Sequence, residues 1–438
     1  MDVIDKFSLK KKGKIQKTSL SAITSLENRT YLAANSYYNL DIIERRRLIE
    51  SFSVSVESLS NELADLVTSE TGKPIESSRN ELSESIHALK KIESAITDQA
   101  DKGNFSNTGS VLRNPALAGP LIYKASYADP ALDFTTASGI SLFTGKPLVF
   151  VPSTIAPLTA TVILEKTAQI FPADMINIVN VDEAGFSKLL NSVNFNTFGF
   201  SGKPADFTDV MRKVGIRGSL YRFYENYPVI IWDEENIDSI IEDVTISSFY
   251  AGSCYFNRAW KIIVKSDIID YVRNRMLEIS SKLRVGDPMD PMNSMGPVAD
   301  SKELLAASVF SGMVKSDLGE TALAGKVQGN LMEPMLVIPR KRLEFSNPNI
   351  GAPLTLLTKA DSIEEAVAMA NNRLPGSYCS LYIDHIDTMK SAVARLNYAS
   401  VHVNDLPGKN EVLSMRMGIL DQPISDLGEL VAKNRLII

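Results

Sequence analysis

Apolar positions recur at two different periods along this chain, and the change of period divides it. From Asp41 to Glu70 the apolar residues Leu48, Ile49, Phe52, Val56, Leu59, Leu63, Leu66 and Val67 keep helical spacing. Asp41 and Glu44 stand at a capping-box interval ahead of them, and Gly72 and Pro74 end the pattern. A second helix is predicted from about Glu76 to Thr97, with Leu82, Ile86, Leu89 and Ile92 on one face. After the polar stretch "DKGNFSNTGS" short apolar runs alternate with helical ones. "GPLIYKAS", "KPLVFVPS", "MINIVNV" and "TFGFSG" read as strands; "DPALDFTTASGISLF", "APLTATVILEKTAQIF" and a run around Glu183 to Leu190 read as helices. Such alternation predicts an α/β fold with open, parallel-type sheets. A second series starts near Pro228 with "PVIIW" and continues through a helix from Ile237 to Phe249, "WKIIV", and a helix from Ile268 to Leu283. The loop "VGDPMDPMNSMGP" and the strands "PMLVI", "PLTLL", "CSLYI" and "SVHVN" follow, and the join between the two series falls near residues 222–228.

Composition narrows the function classes. With 438 residues, 44% hydrophobic and 22% charged, the chain is long enough for two or three packed domains. A net charge of −6 gives no general attraction to nucleic acid or to an anionic membrane. Two cysteines, Cys254 and Cys379, cannot form a disulfide framework, so a reducing, cytoplasmic setting is expected. Three histidines occur singly, without metal-ligand spacing. No apolar run is long enough to span a bilayer, and the start of the chain lacks the apolar segment of a secretory signal. The lysines at 10, 11, 12, 14 and 17 read as a solvated, mobile arm.

Ligands of parallel α/β sheets gather at the carboxyl ends of strands. Two such ends offer backbone N–H groups at a helix start: Phe150 to Thr154, with Pro152 and Ser153, and Phe200 to Phe207, with Ser201, Gly202 and Lys203. Neither is a G-x-G-x-x-G fingerprint. Cys254 follows Gly252 and Ser253 ahead of a β-branched run. A thiolate there would be a nucleophile, with Arg258 as a local cation to lower its pKa; a buried inert thiol is the plainer reading of the residues alone. Cys379, inside "YCSLYI", reads as structural, and Arg222 in "LYRFYENYP" as a surface arginine.

The order of motifs adds what no single motif carries. "SETGKPIESSRNEL" resembles the "ETGKP…E" segment of the NAD(P)-dependent aldehyde dehydrogenase superfamily, and "LVFVPSTIAPLTA" its "VVLKPSE.TPLTA" strand. "FSGKP" stands where that family has "FTGS", "NYPVIIWDEENID" is similar to "KNPVIVFDDADLD", and "LRVGDPMDPMNSMGP" is similar to "VGDPLD..T.MGP". "VHVND" and "SDLGEL" resemble its C-terminal "V.VN" and "RELGEE". The matches are collinear from roughly residue 30 onward, and relative to typical members the chain looks shortened at its N-terminus.

The resemblance implies a Rossmann-like NAD(P)-binding-type domain over residues 1–102 and 119–225 and a catalytic-type α/β domain over 226–405. It also implies an oligomerisation ribbon and C-terminal segment over 103–118 and 406–438, and hence a homodimer or homotetramer. The implied activity is oxidation of an aldehyde (or acyl) substrate with NAD or NADP, by way of a thiohemiacetal on a cysteine. Cys254 is the candidate nucleophile; Pro152, Ser153, Ser201, Gly202 and Lys203 are the candidate cofactor residues. Several family positions are altered. The oxyanion asparagine falls on Ala128, and loss of such a donor costs about 3 kcal/mol in a barrier. The base glutamate falls on Arg222, which cannot accept a proton. The adenosine-ribose pair falls on Val151 and Thr154, and the nicotinamide-ribose glutamate on Asn349. A phosphate-turn glycine falls on Phe207, whose bulk is expected to crowd a pyrophosphate. Cys254 stands one or two positions early: alignment on Gly252 puts the family cysteine at Tyr255, and alignment on Val264 puts it at Phe256. The alternative implied by these losses is a retained fold without dehydrogenase activity, acting as a structural or binding partner.

Overall fold

The computed structural model describes residues 1–38, 40–101, 119–195, 197–215, 218–233, 235–250, 258–313, 319–339, 350–371, 376–407, 416–417 and 422–423. Cys254, Asn349 and the expected ribbon at 103–118 lie outside the described residues.

The chain opens with a hairpin of β1 (Asp2–Ile4) and β2 (Lys11–Lys14) and four helices, α1 (Leu20–Tyr38), α2 (Ile42–Ser58), α3 (Ser60–Thr71) and α4 (Ile75–Asp101). The expected mobile basic arm is therefore corrected. The Met1 ammonium donates to the Ile15 carbonyl at 2.6 Å, Lys6 N–H to the Ser69 carbonyl at 2.9 Å, and Ser69 Oγ to Asp5 at 2.6 Å, so the arm is pinned onto α3. The expected capping box is present: Asp41 accepts from Glu44 N–H at 2.8 Å and Glu44 from Asp41 N–H at 3.1 Å. The single helix expected over 41–70 is two. Ser58 and Ser60 turn their hydroxyls back onto the Ser55, Val56 and Glu57 carbonyls, and the axis breaks at Leu59. Helix α1 carried no sequence signal that we read.

The first α/β series is β3 (Leu121–Lys124), α5 (Pro130–Thr144), β4 (Leu148–Val151), α6 (Leu158–Thr167), β5 (Ile176–Ile178), α7 (Glu183–Ser192), β6 (Thr197–Gly202), α8 (Pro204–Val214) and β7 (Gly218–Phe223). The second is β8 (Asn226–Asp233), α9 (Ile237–Phe249), β9 (Arg258–Lys265), α10 (Ile269–Ser280), α11 (Ser301–Met313), β10 (Gly319–Ala324), β11 (Val327–Gln328), β12 (Leu331–Met332), β13 (Met335–Pro339), β14 (Leu354–Ala360), α12 (Ile363–Ala370), β15 (Gly376–Ile383), α13 (Ile386–Val393) and β16 (Tyr398–Val403). Two short strands, β17 (Arg416–Met417) and β18 (Gln422–Pro423), complete the described chain.

Two seven-stranded sheets result, in the orders β18-β17-β7-β6-β3-β4-β5 and β10-β13-β14-β9-β8-β15-β16. Pairing is parallel except at β10, β17 and β18. The first sheet is covered on both faces, as parallel sheets must be. Leu121, Tyr123, Leu148, Phe150 and Leu220 pack against α2, α4, α5 and α6. Ile122, Val149, Val151, Phe198 and Phe200 pack toward α1, α7 and α8. In the second sheet Cys379 is fully buried beside Ile230, Ile263 and Leu381, the structural place expected for it, and burial pushes its thiol pKa well up.

The segments "ETGKP" and "GDPMDPMNSMGP" meet in one joint. Ile75 N–H donates to the Pro288 carbonyl at 2.8 Å, and Gly72, left-handed at φ +77°, ends α3 against Pro297. A Cβ on Gly296 would lie 1.9 Å from the Gly72 carbonyl, so only glycine closes the joint. Glu70, fully buried, caps α6: its carboxylate accepts from Leu158 N–H at 2.6 Å and from Thr159 N–H and Oγ1 at 2.8 and 2.6 Å. Burial pushes its pKa up to about 7, against the pull of those donors. Because the folded-state pKa is raised, its stabilising share is greatest below the ordinary carboxylate range and fades as pH rises through about 7. A Glu70→Ala variant is expected to lose about 1–3 kcal/mol in urea unfolding, through three orphaned donors. Glu70→Gln is expected to lose less. The wild-type advantage over Glu70→Gln should shrink from pH 5 to pH 8; a gap that widens over that range would reverse the assignment.

Candidate active-site cleft

A cavity of about 580 Å³ opens where the carboxyl ends of β3, β4 and β6 face the start of β9 and the loop before β14. The first sheet supplies Lys124, Ser126, Ser153, Ser201, Gly202 and Lys203; the second series supplies Arg258, Glu303, Ile350 and Gly351. Four of the five expected cofactor residues thus line one cleft. Pro152 is buried and is not among the lining residues. Cys254 lies outside the described residues.

The charges of the cleft are mostly spoken for. Five cationic and six acidic side chains line it. Lys203 Nζ pairs with Glu303, whose other oxygen accepts Gly351 N–H at 2.7 Å, so the β6–α8 turn is tied to the second series. Lys124 pairs with Glu183 at 2.5 Å. Burial raises the pKa of Asp206 against the opposing pull of Lys203 and Lys124. Arg258, expected as a cation for Cys254, is buried. It donates to the Ala352 carbonyl and, at 2.9 Å, to that of Ile350, holding the 350–352 loop, and burial pushes its pKa down to about 10.

Beneath the cleft lies a buried ionic network. Arg222 is 6% exposed, so the surface reading is corrected. The segment is strand β7, paired in register with β6 (Ser201 opposite Arg222), and the alternation that sends Leu220 into the α5 side sends Arg222 there too. Its guanidinium donates to Asp133 at 2.9 Å and Asp129 at 3.2 Å. Asp129 also accepts from Lys73 at 2.9 Å, and Lys73 from the other side binds Glu81 at 2.6 Å. Glu81 caps α5, accepting Ala131 and Leu132 N–H at 2.7 and 3.2 Å. Asp133 receives the Tyr123 hydroxyl at 3.2 Å and the Ser201 hydroxyl, and Ser201 Oγ in turn accepts Ser126 N–H at 2.9 Å. Tyr123 reaches Asp133 only because position 199 is glycine: a Cβ there would stand 2.1 Å from its ring.

Burial raises the pKa of Asp133, with Arg222 opposing. Burial pushes Glu81 up to about 7 while Lys73 pulls it down. Burial alone would lower Arg222, but Asp133 and its neighbours carry it well above the ordinary value, so it stays charged. Asp129, adjacent to Ala128, is neutralised by two cations rather than facing the cleft as a bare charge.

The sequence reading missed Lys73, Glu81 and Asp133. The signal was present in part: Lys73 follows a helix stop, and Glu81 stands two turns into the next helix. Phe207 also needs correction as an obstruction. Its ring packs 5.4, 4.9 and 5.2 Å from Phe200, Tyr221 and Phe223, and Phe207 is not among the lining residues. Val151 is packed into the core, while Thr154 is exposed. For a dinucleotide the fit is therefore divided. The start of α8, where the N-cap Lys203 makes no side-chain capping bond to the helix, suits a pyrophosphate; no paired side chains at 151 and 154 suit a ribose.

Replacing Arg222 by Met is expected to destabilise the fold by about 3–5 kcal/mol, because two buried carboxylates lose their partner. The measure is the shift in denaturant midpoint, and a shift near zero would place Arg222 outside the network.

Residues 1–418 match the sequence profile of the Aldehyde dehydrogenase family. A lactaldehyde dehydrogenase of Methanococcus maripaludis is 22% identical over 414 residues, 93% of this chain and 89% of the relative. A sulfoacetaldehyde dehydrogenase of Neptuniibacter caesariensis is 21% identical, over 84% of this chain and 81% of the relative. Among solved structures, the indole-3-acetaldehyde dehydrogenase of P. syringae, a mutant in complex with NAD+, superposes with a TM-score of 0.86 at 19% identity, covering 98% of this chain and 91% of that one. An NADP-dependent glyceraldehyde-3-phosphate dehydrogenase from Bacillus halodurans, complexed with NADP, gives 0.85 at 19% identity, covering 98% and 93%. Among the described residues no helix is long and apolar enough to cross a membrane.

Proposed function

This chain belongs to the aldehyde dehydrogenase family, and from that premise we propose that it is an oxidoreductase acting on an aldehyde (or acyl) substrate with NAD or NADP. The observation that carries the reading is the cleft itself: about 580 Å³, lined by charged and apolar side chains together, at the strand ends of the first sheet and faced by the second series. The solved relatives named above hold NAD+ or NADP.

In this proposal the start of α8, with Ser201, Gly202 and Lys203, and the β4 end, with Pro152 and Ser153, hold the cofactor. Ser153 and the α8 start face its phosphates. Pro152 acts from behind the wall by fixing the turn, and Ser201 keeps its hydroxyl on Asp133. The bound cofactor supplies a hydride acceptor. Lys203 would have to exchange Glu303 for a phosphate oxygen, an exchange of one ion pair for another. Cys254 is the proposed nucleophile that adds to the carbonyl as a thiohemiacetal. With Arg222 protonated and held by Asp129 and Asp133, water activation by position 222 is not part of the proposal.

That same arrested arginine favours a second reading, a family fold kept without dehydrogenase activity. Titration calorimetry separates the two. Binding of NAD+ or NADP+ with measurable heat is expected, together with cofactor reduction in an aldehyde panel that Cys254→Ala abolishes. No heat with either cofactor would leave the second reading in place; activity persisting in Cys254→Ala would remove that thiol from the chemistry.

We extend the proposal to a homodimer or homotetramer in the cytoplasm. Among the described residues β16 is the outer strand of the second sheet, with Val403 at 36% exposure, and a strand edge of that kind favours pairing with another copy.

A further inference from the structure

The buried network below the cleft has an unequal charge count. Three carboxylates, Glu81, Asp129 and Asp133, share two cations, Lys73 and Arg222. All are nine-tenths or more buried as residues. With every member ionised the group carries a net negative charge inside the protein, where an uncompensated charge is expensive and is relieved by protonation. Among the described residues, the groups named as acting on it do not restore balance. Glu84 on α4 adds negative field, and the Tyr123 and Tyr224 phenols are kept protonated by burial, with Asp133 adding to it.

Hydrogen bonding indicates where a further proton sits. Asp133 is anchored as an anion by Arg222, by Tyr123 and by a serine hydroxyl. Asp129 lies between two cations. Glu81 has one cation, two backbone N–H groups and Asp129 beyond Lys73. Glu81 is the carboxylate with the weakest claim on charge, and its upward shift to about 7 agrees. The route to solvent passes Asp129, whose side chain is 13% exposed against 2% for Glu81.

The network also touches the cleft. From Glu81 through Lys73, Asp129, Arg222 and Asp133 it ends on Ser201, which holds the Ser126 backbone; both serines line the cavity. We propose that the network exchanges one proton with solvent, seated at Glu81, and that holding this proton strengthens binding of an anionic ligand in the cleft above. Glu81 is thereby a positioning residue, one that acts through the cleft floor without touching the ligand. The coupling is reciprocal: protonation removes one negative charge below the anion, and the anion favours the proton.

The proposal rests on the cofactor reading for its ligand, and its test has two arms. Infrared difference spectra of the ligand-free protein between pH 5 and pH 8 read the proton directly. Beside the bands that Glu70 and Glu84 lose as they deprotonate, the wild type is expected to lose one further protonated-carboxyl band across that range, identified by subtracting the Glu81→Gln spectra. Glu81→Gln should lack the band, and so should Asp129→Asn, in which two carboxylates balance two cations. Two variants guard against one failing to fold. The second arm is NAD+ titration; its pyrophosphate is fully ionised throughout, so it brings no proton of its own. The wild type is expected to bind about fivefold more tightly at pH 6 than at pH 8, and Glu81→Gln equally at both. A purely structural role for Glu81 would lower melting temperature without altering either slope. Absence of the band from the wild type, or its persistence in both variants, overturns the proton. NAD+ binding with the same pH slope in wild type and Glu81→Gln overturns the coupling alone. No NAD+ binding at any pH overturns the coupling together with the cofactor reading, and the infrared arm still decides the proton.

Discussion

Lys73 bridges Glu81 and Asp129 from a position that is 3% exposed, and four chain segments take their places from that contact and its extension to Arg222. The α3–α4 turn carries the lysine, α4 carries Glu81, the β3–α5 connection carries Asp129, and β7 carries Arg222. Buried ion pairs are poor sources of net stability, because desolvation consumes much of the Coulombic gain. Their effect is on geometry. An apolar floor of equal volume would leave β7 free to slip by a residue, reversing which side chains meet α5. A guanidinium that must find two aspartates permits one register only, and that register puts Ser201 opposite Arg222.

The same constraint accounts for the residues of "ETGKP" one at a time. Glu70 caps α6, Gly72 takes the left-handed turn, Lys73 enters the network, and Pro74 precedes α4. The segment "GDPMDPMNSMGP" meets it from the other series, with Asp287 and Asp290 closing tight turns onto Met289 and Met292 N–H at 2.9 Å each. Two stretches more than 200 positions apart therefore read as motifs because they form one joint.

How far the sequence could be read follows from the kind of information each feature carries. Most strands and most helices of both series were legible, since burial on two faces leaves continuous apolar runs and burial on one leaves a period. The break at Leu59 was not, because two serines competing for backbone carbonyls do not disturb the apolar spacing. β7 was hidden because its centre is an arginine, and a charge in a strand reads as solvent-facing until its partners are known. Those partners stand about 90 residues away, with three strands between them in sequence. Phe207 misled in the opposite sense: its size was legible, its direction into the Phe200, Tyr221 and Phe223 cluster was not.

The cleft inherits a consequence from this floor. Two of its cations are already paired, Lys124 to Glu183 and Lys203 to Glu303, so an anion that approaches the β6–α8 turn gains little from either of them unless a carboxylate is displaced. Displacing Glu303 frees more than a lysine, for that carboxylate also holds Gly351 N–H, beside the loop whose carbonyls occupy Arg258. Ligand entry, the 350–352 loop and the β6–α8 turn are thus mechanically one event. Selectivity in such a site comes from what a ligand can return to Glu303, Gly351 and Lys203 together. A bare anion can satisfy only the lysine and the backbone N–H. A ligand that also carries a hydroxyl or amide donor satisfies the carboxylate as well.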